Sequence, residues 1–184
     1  MKRLILFLAF TGVITVAISQ QKLYINQTNH LSEGVWLTAI DSMYFNANGS
    51  EGYFVINQQK YTYQTASIDS LTFGDDALEI SVTYNGNSVS VVNPLAFEGV
   101  KVVIDGCHVT VNSTSETRDI SYRLSGSTTN GSFKIYSDKR FNLLFDGADI
   151  TNPYGPAINI QSKIKAFVNI VDGTSNSLTD GNTY

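Results

Sequence analysis

Four glycines, Gly106, Gly126, Gly147 and Gly173, each close a short apolar run, in "VIDG", "RLSG", "LFDG" and "IVDG". Their positions are nearly evenly spread along the later half of the chain. A second register agrees: "VTV" (109–111), "FKI" (133–135) and "INI" (158–160) recur at an almost constant interval. Between corners the chain alternates. Phe141, Leu143 and Phe145 share one strand face, and Ile164, Ala166, Val168 and Ile170 are opposed by Lys163, Lys165 and Asn169. Glycine supplies the positive φ that a repeated corner needs, and Asp or Asn accepts the turn's N–H groups. Short strands with that turn chemistry at that period predict a solenoid. An immunoglobulin-like sandwich also has many short strands, but its turns do not return at a constant longer interval. The reading is therefore all-β: a right-handed parallel β-helix of about four rungs over 91–184, with rungs stacked about 4.8 Å apart.

Composition supports strands. The 184 residues include 10 Phe, 10 Tyr and only 3 Pro, and no amphipathic helical period occurs beyond the opening apolar segment. Residues 20–90 carry a different repeat. "LYINQ" (23–27) returns as "FVINQ" (54–58), and "AIDSMYF" (39–45) returns as "SIDSLTF" (67–73). Each copy reads as a strand, a polar connection and a tight Asp-Ser turn into a second strand, a small duplicated β module ahead of the main domain. Asp41 and Asp69 are expected to accept N–H groups two residues on, as Asx turns do. Trp36 is expected to anchor the module's interior.

The opening "MKRLILFLAFTGVITVAISQ" has a basic start, an apolar run from Leu4 to Ile18 and a small-x-small site before Gln20. This predicts a cleaved signal peptide over 1–19, hence a secreted, periplasmic or cell-surface protein with no transmembrane segment after cleavage. Cleavage leaves 10 basic against 16 acidic residues, a formal charge of −6. Scattered basic residues on an acidic chain give no electrostatic footprint for nucleic acid. The single Cys107 cannot form an internal disulfide and reads as a packed thiol. The last residues, "SLTDGNTY", follow a strand with no capping element. An open terminal rung is expected, belonging to part of a longer solenoid or covered by end-to-end self-association.

From Val91 onward the sequence resembles bacterial carbohydrate-binding domain-containing proteins with a calcium-bearing, pectate-lyase-like parallel β-helix. The resemblance rests on Asn130-Gly131-Ser132 through Asp138, on "GADITNPYGPAINIQS" and on "VDGTSNSLTDG". It implies an exported protein that binds acidic or cellulosic plant polysaccharides, with calcium between rungs. Calcium takes six to eight oxygen ligands. Stacked Asp-Gly turns are expected to bring Asp146, Asp149 and Asp172, with Asp180 nearby, into such a site. Sugars stack on exposed rings, and Tyr136 and Tyr154 are the candidates, with Tyr122 the other tyrosine of the repeat region.

Catalysis finds less support. His30 and His108 are the only imidazoles, and nothing in the pattern supplies a third orienting group. A lyase would draw its base from Arg118, Arg123 or Arg140. The expected function is non-catalytic polysaccharide binding. The alternatives are the N-terminal part of a polysaccharide lyase or hydrolase, and a structural or adhesive surface solenoid.

Overall fold

The computed structural model describes residues 21–75, 77–117 and 119–182; the expected signal peptide and Arg118 lie outside them. The protein is all-β, built from mixed sheets of nine, four and three strands. Among the described residues no helix is long and apolar enough to cross a membrane.

The duplicated segment folds by exchange. The first copy supplies β1 (Gln21–Gln27), β2 (Leu31–Trp36), a 3₁₀ turn and β3 (Ile40–Phe45); the second supplies β4 (Glu51–Ile56), β5 (Gln59–Gln64), another 3₁₀ turn and β6 (Ile68–Asp75). Each third strand leaves its own hairpin and pairs antiparallel with the other: β3 with β4, and β6 with β1. The two hairpins then bury Leu23, Ile25 and Val35 with Phe54 and Ile56 in one core. Asp41 and Asp69 lie inside β3 and β6, so they do not form the expected Asx turns. The 3₁₀ segments Leu37–Ala39 and Thr65–Ser67 make the tight turns instead. Asp41 Oδ2 accepts the N–H of Gln58 at 2.6 Å, tying one copy to the other.

The hairpin of β7 (Glu79–Asn85) and β8 (Ser88–Asn93) joins this module to the rest, β8 running parallel to β2. Ile80, Val82, Tyr84, Val89 and Val91 belong to the core formed by the later strands, although most of this hairpin precedes residue 91. A second joint is Lys22, wholly buried, whose Nζ donates to Pro94 O at 2.7 Å and meets Glu98 Oε1 at 2.8 Å. The same ammonium sits 4.3 Å from the Trp36 ring centroid. A buried cation is tolerable only with partners of this kind, because an unpaired one costs several kcal/mol.

Beyond residue 99 the chain runs β9 (Val100–Asp105), β10 (Cys107–Ser113), β11 (Ile120–Thr128), β12 (Gly131–Ser137), β13 (Phe141–Asn152), β14 (Ile158–Gln161), β15 (Ala166–Ile170) and β16 (Ser177–Asp180). From β10 onward each strand gains a parallel neighbour one circuit away along the chain. β10, β12 and β14 stack in one sheet, with Val109 beside Phe133 and Phe133 beside Ile158. β11, β13 and β15 stack in another, with Tyr122 beside Leu143 and Leu143 beside Val168. The second half of β13 pairs with β16. β7 also lies parallel to β11, with Ile80 beside Tyr122, so the β11–β13–β15 stack has a fourth parallel strand, whereas on the other sheet β9 meets β10 antiparallel. Gly106 closes the antiparallel hairpin of β9 and β10, so it is not a counterpart of Gly126, Gly147 and Gly173. Cys107 is buried, as expected of a packed thiol.

Alternation sets the interior. Val109, Val111, Leu124, Phe133, Ile135, Phe141, Leu143 and Ile150 are fully or almost fully buried. Tyr122 is buried too; burial pushes its phenol up to about 12, with the Ser113 hydroxyl acting against the rise.

Two glycines bend the long strands, and they differ in what surrounds them. Gly126 has φ of 76°, and a Cβ there would collide with the Tyr84 carbonyl oxygen. Gly147 has φ of 70° with nothing within 4 Å of a Cβ. Gly147→Ala is expected to cost about 1–2 kcal/mol for the left-handed backbone alone. Gly126→Ala adds backbone displacement and should cost at least about 3 kcal/mol, or prevent folding, as read by urea denaturation.

Glu33 accepts hydrogen bonds from Gln27 Nε2 at 2.8 Å and from the Tyr63 hydroxyl at 2.9 Å. Burial outweighs these bonds and raises its pKa above the usual 4.5. The native state therefore holds this proton more tightly than the unfolded chain, and stability from Glu33 falls as pH rises above the unfolded value. Glu33→Gln keeps an acceptor oxygen at the site and removes that loss. Its melting temperature should exceed that of the parent at pH 7, with the gap closing by about pH 4.

Candidate binding face

The four-stranded sheet β9–β10–β12–β14 has one face in the core and one in solvent. Register fixes the outward columns. Asn112 stands beside Lys101 on one side and Tyr136 on the other, and Tyr136 stands beside Gln161. The next column is Val103, Thr110, Lys134 and Asn159, and the next Asp105, His108 and Ser132. Parallel in-register pairing puts these side chains in rows because residues of equal phase along each strand point the same way.

At the C-terminal ends of β10, β12 and β14 the face opens into a groove of about 430 Å³. Asn112, Thr114, Tyr136, Asp138, Gln161 and Lys163 line it. Tyr136 is 41% exposed, and Lys134 Nζ lies 5.6 Å from its ring centroid. Gln161 Nε2 donates to Asn159 Oδ1 at 2.6 Å, which orients both amides along the face. This arrangement combines an apolar ring face, amides able to bond paired hydroxyls, a carboxylate and two ammonium groups.

Tyr154 is also exposed, at 76%, in the turn that precedes β14. Its amide N–H donates to Asn152 Oδ1 at 3.1 Å, and Asn152 Nδ2 donates to Pro156 O at 2.9 Å, so Asn152 shapes the turn. Tyr154 lies ahead of the first residue of β14, whereas Tyr136 is level with the last. The two rings thus flank opposite ends of the face. Asn112, Gln161 and Lys163 were not singled out from the sequence. The interval that aligns "VTV", "FKI" and "INI" also aligns Asn112, Tyr136 and Gln161, so the signal was present.

The acidic residues expected to hold calcium are dispersed. Asp146 Oδ2 accepts from Arg123 Nη1 at 3.0 Å, and Arg123 makes two further bonds to Glu79, at 2.7 and 3.0 Å. Asp149 is exposed on β13, where its register partner is Ser177. Asp172 is exposed in the turn after β15, and Asp180 Oδ1 accepts the Ala157 N–H at 2.8 Å. Among the described residues no group of three or more His, Cys, Asp or Glu side chains gathers where it could hold a metal ion. These donors do not fit the calcium site expected of Asp146, Asp149 and Asp172.

The basic residues are similarly committed. Arg123 is held by its two carboxylates, which raise its proton affinity further. Arg140 pairs with Asp119 at 2.5 and 2.7 Å, and that pairing likewise holds it protonated. His108 Nδ1 is 2.8 Å from Ser132 Oγ, and His30 occupies a turn with φ of 66°.

Residues 105–184 match the family model described as carbohydrate-binding domain-containing protein. A protein of that description from Acetivibrio thermocellus is 32% identical over 110 residues, covering 56% of this chain. The match spans 38% of that relative's length. No solved structure matches the chain. The matched region contains β10 to β16, and with them most of the face and groove.

Asp146 and Asp180 find protein partners, and no three acidic, His or Cys side chains gather among the described residues, so treatment with EDTA should leave the melting temperature within about 1 °C. A fall of several degrees, restored by calcium, would show a site that uses backbone carbonyls and single carboxylates.

Proposed function

We propose that residues 107–180 coil as a right-handed parallel β-helix whose outward face captures extracellular polysaccharide without catalysing its cleavage. The three parallel passes support the coil, and parallel crossovers in one sheet are overwhelmingly right-handed. The observation that carries the binding reading is Tyr136, half-exposed in a groove between the Asn112 and Gln161 amides. A pyranose presents an apolar face to such a ring and hydroxyls to such amides. The family match over 105–184 points the same way. Lys134 and Lys163 beside the ring favour a glycan bearing carboxylates over a neutral one. Calcium is given no part in holding it.

Non-catalytic capture is preferred to lyase chemistry because Arg123 and Arg140 are both engaged by carboxylates, leaving neither placed as a base. Residues 1–19 act as the export signal in this reading, so the mature chain should begin at Gln20 when its N-terminus is sequenced.

Affinity electrophoresis in gels cast with a polyuronate or a soluble cellulose derivative is expected to retard the protein. Tyr136→Ala should weaken retardation by about tenfold, the loss of one stacking contact, with circular dichroism unchanged. Tyr154→Ala should have a smaller effect. Absence of retardation by every glycan tried would favour an adhesive role, and new ultraviolet absorbance from unsaturated uronates would overturn the non-catalytic reading.

A further inference from the structure

The three-stranded sheet of β3, β4 and β5 turns Phe54 and Ile56 into the module's core, so the alternate residues of β4 face outward. That outer face lies ahead of the residues matched by the family model. Register orders it in rows. Tyr44 on β3 stands beside Tyr53 on β4, and Tyr53 beside Thr62 on β5. Lys60 stands beside Val55 in the row on one side, and Gln64 beside Glu51 in the row on the other. The Tyr44 and Tyr53 rings lie 5.0 Å apart, tilted by 47°, and Tyr44 is 45% exposed. Lys60 Nζ is 3.5 Å from the Tyr53 centroid and 5.7 Å from that of Tyr44. The Tyr53 hydroxyl donates to Glu51 Oε2 at 2.5 Å, and Gln64 Nε2 donates to Glu51 Oε1 at 3.3 Å. Glu51 thereby holds both a ring and an amide in place on the rim of the face.

The same chemistry meets at Tyr136: a half-exposed ring on an outward sheet face, a lysine ammonium beside it and amides along the row. The two faces belong to different sheets with different repeats, so one does not copy the other. Lys60 rests on rings, and among the described residues it forms no ion pair with a carboxylate. Its charge is therefore open to a carboxylate brought by a ligand. We propose that this face is a second glycan-binding site on the same chain. A pyranose of an acidic polysaccharide lays its apolar face on Tyr44 and sets its carboxylate at Lys60, with hydroxyls toward Gln64 and Thr62. The choice of polymer rests on the reading of the Tyr136 face, whereas the site itself stands on Tyr44, Tyr53 and Lys60. Two sites on one chain raise retention by a polymer that offers the same sugar many times over.

The two sites separate by mutation of residues 20–184. The Tyr136→Ala variant, titrated with a uronic-acid tetrasaccharide, should still shift the amide resonances of Tyr44, Tyr53 and Thr62 in nuclear magnetic resonance spectra. Lys60→Gln in that background keeps a polar side chain without the charge. It should weaken the tetrauronate at least about threefold and leave binding of a neutral cellotetraose unchanged. In polyuronate gels Tyr44→Ala should reduce retardation, and Tyr44→Ala/Tyr136→Ala should abolish it, with circular dichroism unchanged in both. If Tyr136→Ala alone abolishes retardation and Tyr44→Ala leaves it intact, the second site falls and the first stands. If Tyr44→Ala abolishes it and Tyr136→Ala has no effect, the first falls and the second stands. Resonance shifts confined to β10, β12 and β14 in the parent protein would also overturn the proposal.

Discussion

In-register parallel pairing is the interaction on which the rest of this structure depends. Once β10 lies beside β12, and β12 beside β14, each backbone supplies the hydrogen-bond partners of the next, and residues of equal phase are forced into columns. The columns Val109–Phe133–Ile158 and Tyr122–Leu143–Val168 follow from that rule, and their inner members form the core. A slip of one residue would turn each of them outward, so the apolar pattern and the ladder enforce one another. The Tyr122 ring packs 5.6 Å from Phe141 and 6.1 Å from Phe133, so successive columns also hold one another through edge-to-face and tilted rings.

The duplicated module obeys a different rule. The two copies share the order hairpin, 3₁₀ turn, third strand, and each hairpin leaves an edge for a third strand. The native arrangement crosses them, β3 to β4 and β6 to β1. Crossing makes the two copies one unit, since neither sheet is complete without the other. Glu33 on β2, hydrogen-bonded to Tyr63 on β5, and Asp41 on β3, hydrogen-bonded to the Gln58 amide, are consequences of this closeness. Lys22 then carries the link across to the turn at Pro94 and Glu98.

The geometry that builds the core also builds the outer face. Stacking puts Asn112, Tyr136 and Gln161 in one row as automatically as it puts valine over phenylalanine. A row of amides and a ring repeated at strand spacing suits an extended polymer with its own repeat. The same geometry continues the apolar columns onto β14, β15 and β16, where Ile160, Val168, Ile170 and Leu178 stand exposed. Binding face and exposed end are thus two results of one construction.

Much of the later half was legible. The recurrence of "VTV", "FKI" and "INI" specified the register of the β10, β12 and β14 stack, and the glycines at 126, 147 and 173 marked the bends of the neighbouring β11, β13 and β15 stack. Exposure of Tyr154 followed from its two flanking prolines. What misled was residue chemistry read without its partner. Gly106 shares the Asp-Gly spelling of Gly147, yet one closes an antiparallel hairpin and the other bends a single strand, β13, that runs parallel to β11. Asp146 had the look of a calcium ligand, yet the fold sets Arg123 beside it. Local sequence determined the strands, their phase and their corners, because alternation and glycine act within a few residues. Only tertiary structure decided which strand meets which, the exchange of β3 and β6, the burial of Lys22 and the dispersal of the acidic residues. Those outcomes hang on contacts between residues far apart along the chain, where short-range pattern has no hold.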